Sequence, residues 1–447
     1  MNKRIITAAI VAIPTLAMAG SNGLNLLDVY RQAQSSDPAW ASAKSAHLAA
    51  QEKLPQGFAL ILPTASLGAS ANHSNTDTSY FGSGAHFPGG PQGFETYNYN
   101  VNVSQPLFRK QNSVQYEEAK IQVSQAEEQL NIARYDLMLR SAQAYFDVLL
   151  AQDKVDLIAA QKSAITKQLE QAKANFDVGT STITDVHEAQ ARYDLTLAQE
   201  IAAINELEVK KRAIQAITTQ LPDKLVTARE KLVATIPEPQ VMEKWVETAE
   251  QQNLQFKIQQ YNLTLADQEI ARAHAGHYPT VDVVGAYNDT HATGSTSGTG
   301  ADAQNFTVGL QVQVPLYQGG ATISKEREAA ANKQKAQDDL EQARRQADLQ
   351  TRQAYLNVAS SVAQVKAYEQ ALVSSQSQLD STNLGYEVGV RTSVDVLNAQ
   401  QQYFSAKRDL LQARYTYLLS ILQLKAASGV LVENDMSEIN NMLESGS

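Results

Sequence analysis

Apolar and polar residues alternate strictly over 97–103: Tyr97, Tyr99, Val101 and Val103 are interleaved with Asn98, Asn100 and Asn102. A period of two puts each kind on its own face of a strand. The pattern returns in Phe306, Val308, Leu310, Val312 and Val314. Together with the stretches LPTASLGA from 62 and YPTVDVVGA from 278, it predicts two strand pairs. They lie at about 58–73 and 95–106, and at about 279–291 and 303–315, around loops rich in Gly, Ser and Thr.

The rest of the chain has a different period. Neither Pro nor Gly occurs from 109 to 176 or from 321 to 384. Within these stretches Leu130, Leu137, Ala144, Ala151, Ile158, Ile165 and Ala172 recur every seventh residue, as do Val358, Val365, Leu372, Leu379 and Tyr386. A sustained seven-residue period is a coiled-coil seam, and about 65 helical residues span roughly 100 Å. Each long helix breaks at a glycine, Gly179 or Gly389, and a second helix follows, at about 182–218 and 392–427. Shorter helical stretches, 24–54 and 241–275, precede the strands.

These elements form one unit written twice. QAYFDV at 143–148 returns as QAYLNV at 353–358, and FDVGTSTITDV at 176–186 as YEVGVRTSVDV at 386–396. The expected organisation is a signal segment at 1–19, a first repeat at 20–220 with its hairpin at about 109–218, and a joining segment at 221–239. A second repeat follows at 240–428, with its hairpin at about 318–427, then a C-terminal segment at 429–447. The signal assignment rests on Lys3 and Arg4, the apolar run Ile5 to Leu16, and the small residues Ala17 and Ala19. The chain is therefore expected to leave the cytoplasm.

Composition narrows the function. The net charge of −10 argues against a nucleic-acid partner, and with no Cys there is no disulfide, thiolate metal ligand, Cys nucleophile or lipid-anchored Cys. Adjacent acidic pairs such as Glu117 and Glu118 do not face one another on a helix, so they are no acid/base pair. His274 and His277 have metal-like spacing, but a carboxylate partner is not apparent nearby, and neither a metal nor a cofactor is expected. An enzyme is not expected either. Four strands beside rods about 100 Å long have no obvious core to cover. An exported chain without long apolar helices offers lipid as the partner for the apolar strand faces. Four strands cannot close a barrel, so the chain is expected to pool strands by self-association.

With the duplicated plan in view, the motifs FDVGTSTITDVHEAQARYD at 176–194, VPLYQGG at 314–320 and GYEVGVRTSVDVLNAQQQYFSAKRDLLQARYTYLL at 385–419 resemble the TolC family of outer-membrane channel-tunnels, in its non-lipidated branch. The resemblance implies a fold of α-helices plus transmembrane β-sheet. A homotrimer forms a twelve-stranded barrel in the outer membrane of a Gram-negative bacterium and an α-helical tunnel in the periplasm. It implies a periplasmic adaptor and an inner-membrane ABC or resistance-nodulation-division transporter as partners. The implied function is an exit duct for secreted proteins, for small toxic compounds and drugs, or for both.

The resemblance also assigns residues at the periplasmic tip. Asp395 and, one turn on, Asn398 match two inward-facing positions at the pore constriction. Asn398 stands where the family pattern has a second Asp, so its ring is polar but uncharged. Tyr386, Arg391, Thr184 and Asp185 match a network holding the tip shut, with Tyr386 donating to Asp185 and Arg391 bonding Thr184 or Asp185 within or between subunits. Asp185 and Asp395 also fit plain helix-start residues facing the helix dipole, and Tyr386 also fits seam packing. The rivals are a periplasmic coiled-coil scaffold or adaptor without a pore, which has no use for apolar strand faces, and an exported hydrolase, for which there is no nucleophile–base constellation.

Overall fold

The computed structural model describes residues 24–79, 81, 89–222, 225, 232–296 and 298–444. The signal segment at 1–19 lies outside them, as do parts of the loop between the first two strands and of the joining segment. The first repeat contains α1 (Leu26–Ser36), α2 (Pro38–Gln51), α3 (Lys53–Ala59), β1 (Thr64–Thr78), β2 (Gly90–Phe108), α4 (Lys110–Asp177) and α5 (Ile183–Thr218). The second contains α6 (Met242–Gln252), α7 (Leu254–His274), β3 (Thr280–Ala292), β4 (Ala301–Gln313), α8 (Ala321–Glu387), α9 (Ser393–Ala427) and the closing α10 (Glu433–Glu444).

The 68-residue α4 and the 67-residue α8 run unbroken. Their seven-residue seams are the buried ones: Leu137, Ala144, Ala151, Ile158, Ile165 and Ala172 in α4, and Val358 and Val365 in α8. Small seam residues allow α5 to lie along α4 and α9 along α8, and the hairpins meet chiefly where α4 faces α9. The main core sits around the middle of the rods. Leu137, Met138, Tyr145 and Leu149 of α4 meet Tyr417, Leu418 and Leu422 of α9, with Leu26 and Tyr30 of α1 and Met436 of α10 closing over them.

Two expectations change in detail. The first strand begins at Thr64 rather than 58, because Phe58 and Ala59 complete α3 before Pro63 ends the turn. The stretches at 24–54 and 241–275 are not single helices. Asp37 caps a new helix by accepting from Trp40 N, and Asn253 does the same from Phe256 N, so each breaks at a capping side chain.

The strands form one antiparallel sheet in the order β1-β2-β3-β4. Its register builds a continuous apolar face: Leu67 lies opposite Val101, Val101 opposite Tyr287, and Tyr287 opposite Phe306. Leu67 is 78% exposed and Phe306 75%, so none of the described elements of the same chain covers that face. The paired rows from Val281–Val312 to Tyr287–Phe306 span about 20 Å, close to the apolar band of an outer-membrane barrel. The opposite face is polar: Asn98 bonds Thr290 at 2.8 Å, and Asn98, Asn100 and Asn102 link in an amide ladder down β2. Arg109, at the start of α4, clamps Asp282 of β3 with two bonds of 2.8 and 2.7 Å and so fixes the rods to the sheet.

Candidate functional site

The hairpin turns farthest from the sheet are built alike. Gly179 (φ 77°) and Gly389 (φ 80°) take the left-handed conformation that ends α4 and α8. Thr180 N then donates to Asn175 O, and Val390 N to Gly385 O, both at 2.8 Å. The next helix starts from a capping box in each case. Thr182 N and Oγ1 donate to Asp185 Oδ2 at 3.0 and 2.8 Å, and Asp185 N returns a bond to Thr182 Oγ1. Thr392 and Asp395 repeat this, both Thr392 donors lying 2.9 Å from Asp395 Oδ2. The Thr392 N–H, then its hydroxyl, hold the Asp395 carboxyl below the usual carboxylate range, with a smaller contribution from Arg391. Both aspartates therefore stand in the first turn of a helix and accept from the amide of its capping threonine, whose hydroxyl accepts from the aspartate amide in return.

Polar and apolar contacts tie the two hairpins together here. Asn175 Nδ2 donates to Tyr386 Oη at 3.2 Å, and Gln168 Nε2 donates to the buried Ser393 Oγ at 3.2 Å. A small apolar cluster joins Ile165, Leu169 and Ala172 of α4 and Ala189 of α5 to Leu397 of α9. Arg192 of α5 reaches across to α9, where Nη2 donates to Asn398 Oδ1 at 3.1 Å and Nη1 to Gln401 Oε1.

Within one protomer the expected partners are therefore redistributed. Tyr386 meets Asn175 rather than Asp185, because the Asp185 carboxylate is turned back onto Thr182. Arg391 is exposed, and among the described residues its guanidinium makes no hydrogen bond or ion pair with Thr184 or Asp185; its stem packs over Gly385 of its own hairpin, where an added Cβ would lie 2.7 Å from Arg391 Cγ. Thr184 is exposed. Asp395 and Asn398 lie one turn apart on α9, and Asn398 is engaged by Arg192. Asn175, Gln168, Ser393, Arg192 and Gln401 were not among the residues expected at this site. Arg192 stands four residues after Glu188, which accepts from its Nε at 3.0 Å, so in sequence it looks like a surface ion pair of one helix.

Two further groups stand outside the tip. Asp153 of α4 accepts from Tyr415 of α9 at 2.6 Å, and burial pushes its carboxyl up despite that bond. His274 does have a carboxylate neighbour, contrary to expectation: folding brings Glu326 of α8 to 2.7 Å from its Nδ1 and 3.4 Å from His277 Nε2. Among the described residues no group of His, Asp and Glu is arranged to hold a metal ion, and no helix is long and apolar enough to cross a membrane.

An apolar sheet face left bare beside long coiled-coil hairpins suits contact with lipid, and the chain's relatives point the same way. The family model described as outer membrane efflux protein matches residues 29–220 and 245–430. The chain is 35% identical over 418 residues to outer membrane protein TolC of Vibrio cholerae serotype O1, covering 93% of each. It is 28% identical over 436 residues to the proteases secretion protein PrtF of Dickeya chrysanthemi, covering 96% of this chain and 94% of that one. The CmeC outer membrane channel of Campylobacter jejuni superposes with a TM-score of 0.75 at 17% identity, over 99% of this chain and 98% of that one. The chain belongs to the outer membrane efflux protein family and is an exit duct of the Gram-negative outer membrane.

Proposed function

We propose that three copies of this chain form a closed channel, with a twelve-stranded barrel in the outer membrane and a helical tunnel through the periplasm. The observation that carries this is the sheet. It has a bare apolar face and two strands, β1 and β4, with one neighbour each. Unpaired edges demand partners, and β1 of one copy against β4 of the next makes a head-to-tail interface that closes into a ring. Lipid covers the apolar face, and the asparagine-lined face meets water.

The hairpin ends at Gly179 and Gly389 form the periplasmic entrance. Asp395 and Asn398 line its constriction. Tyr386, Arg391, Thr184 and Asp185 belong to the polar network that keeps it shut, with the latter three bonding between copies. Opening is an outward, iris-like swing of hairpins driven by a periplasmic adaptor and an inner-membrane ABC or resistance-nodulation-division transporter. The channel itself performs no chemistry. Membership of the outer membrane efflux protein family and kinship with a proteases secretion protein support both small-molecule efflux and protein cargo, selected by the transporter.

The test is single-channel recording of the detergent-purified protein in planar bilayers. Small, cation-preferring currents that rise sharply in the Tyr386→Phe, Arg391→Ser double variant are expected. Inserted trimers that conduct nothing, in wild type and variant alike, would favour the scaffold without a pore.

A further inference from the structure

Arg192 of α5 spans to α9 with two hydrogen bonds at the tip, and the stability of its own helix does not explain them. Its Nε is held by Glu188 of α5 at 3.0 Å, which aims the planar guanidinium outward from that helix. The remaining nitrogens then meet Asn398 Oδ1 and Gln401 Oε1, more than 200 residues away in sequence. Asp395, Asn398 and Gln401 recur every third residue, so they share one polar stripe of α9, and Arg192 grips its middle and far positions. Asn398 and Gln401 are both exposed, so what Arg192 adds to the α5–α9 seam is polar, over and above the apolar cluster shared by Ala189 and Leu397. The apolar cluster below it reaches α9 at Leu397, on a different face of the helix.

We propose that Arg192 is the latch between the two hairpins at the entrance, a positioning residue for gating that must release Asn398 and Gln401 before α9 can part from α5. The inference rests on the gate proposed above and adds the residue that sets how firmly it is held. The chemistry of the partners matters. A guanidinium bound to neutral amides is charge-assisted on one side only, so the latch is firm enough to hold and weak enough to break. A carboxylate in place of the Asn398 amide makes a full ion pair with Arg192 and a firmer latch. Asn398 thus tunes opening through Arg192, beyond leaving its own ring uncharged.

The experiment compares single-channel records and melting curves of the full-length trimer as wild type, Arg192→Gln, Asn398→Asp, the double variant and, as a gate control, Tyr386→Phe. Loss of a hydrogen bond to a charged group shifts an equilibrium by about tenfold or more, so Arg192→Gln is expected to raise the open fraction by about that factor with little change in melting. Asn398→Asp lowers the open fraction, but only while Arg192 is present; in the double variant the lowering disappears. A purely local pore-charge effect of Asn398→Asp moves the reversal potential equally in both backgrounds and leaves the open fraction alone, which overturns the latch. If Tyr386→Phe opens the channel and Arg192→Gln behaves as wild type, the latch is wrong and the gate stands. If neither variant changes a conducting channel, gate and latch fall together. Opening that accompanies dissociation of the trimer marks Arg192 as merely structural and also overturns the proposal.

Discussion

Asn175 Nδ2 lies 3.2 Å from Tyr386 Oη, joining the last turns of α4 and α8 just before each hairpin reverses. Both residues sit in the last turn of the long helix of their repeat, one repeat position apart: Tyr386 corresponds to Phe176 and Asn175 to Gly385. Asn175→Ala and Tyr386→Phe each remove the same bond, so their effects on channel opening are expected to coincide rather than add. A double-mutant cycle on open fraction should return a coupling of about 1 kcal/mol per protomer; strict additivity would show that the bond carries none of the closure.

The two capping boxes predict equal helix-start contributions. Thr182→Ala and Thr392→Ala should each lower stability by about 1 kcal/mol, read from thermal or denaturant unfolding. The Thr392 box also has a pH signature. Its carboxylate, Asp395, has a folded pKa below the ordinary value, so its contribution is present above pH of about 4 and is lost as pH falls through the folded value. The melting difference between wild type and Asp395→Asn is therefore expected at neutral pH and should vanish in acid.

Asp153 behaves in the opposite sense. Burial against α9 raises its carboxyl pKa, and the bond from Tyr415 only partly compensates. Between the unfolded and folded pKa values the native state holds the extra proton, so stability falls as pH rises across that window and stays lower above it. Asp153→Asn keeps an acceptor for Tyr415 and removes the buried charge. It should raise the melting temperature more at pH of about 7 than at about 4, on either side of the carboxylate range; the reverse order would mean that the ionised carboxylate is stabilising.

Glycines at two chain reversals separate strain from collision. Gly389 (φ 80°) has open space where a Cβ would stand, so Gly389→Ala costs only backbone strain, about 1–2 kcal/mol. Gly429 (φ 79°), after α9, has Gln252 O at 2.2 Å from that position and Gln252 C at 2.4 Å, both backbone atoms that cannot turn aside. Gly429→Ala is expected to cost well over ~2 kcal/mol, seen as a much lower melting temperature or loss of the folded trimer.

Much of the fold is legible in the chain because its signals are local and periodic. The seams through Leu137, Ile158 and Val358 announce buried helix faces, and Tyr99, Val101 and Phe306 announce a two-faced sheet. Duplication doubles each signal. Boundaries are less legible: Phe58 and Ala59 are apolar and precede a strand, yet they close α3. At the tip, Asp185 and Asp395 show their helix-start role in the Thr-x-x-Asp spacing, which is a local pattern. Arg192 and Asn175 carry no such mark. One looks like an ordinary Glu–Arg pair and the other like a polar residue near a helix end, since hydrogen bonds between distant segments leave no periodic trace.

The repeat, the two periods and the breaks at Gly179 and Gly389 are written in the order of residues, and with them the long hairpins carrying a two-faced sheet, because these follow from backbone geometry and the burial of one face. Which polar groups meet is settled by packing instead: Arg192 with Asn398, Asn175 with Tyr386, His274 with Glu326. A polar side chain finds its partner through the register of packed helices, and a shift of a single turn moves a side chain about 5 Å, beyond hydrogen-bond reach.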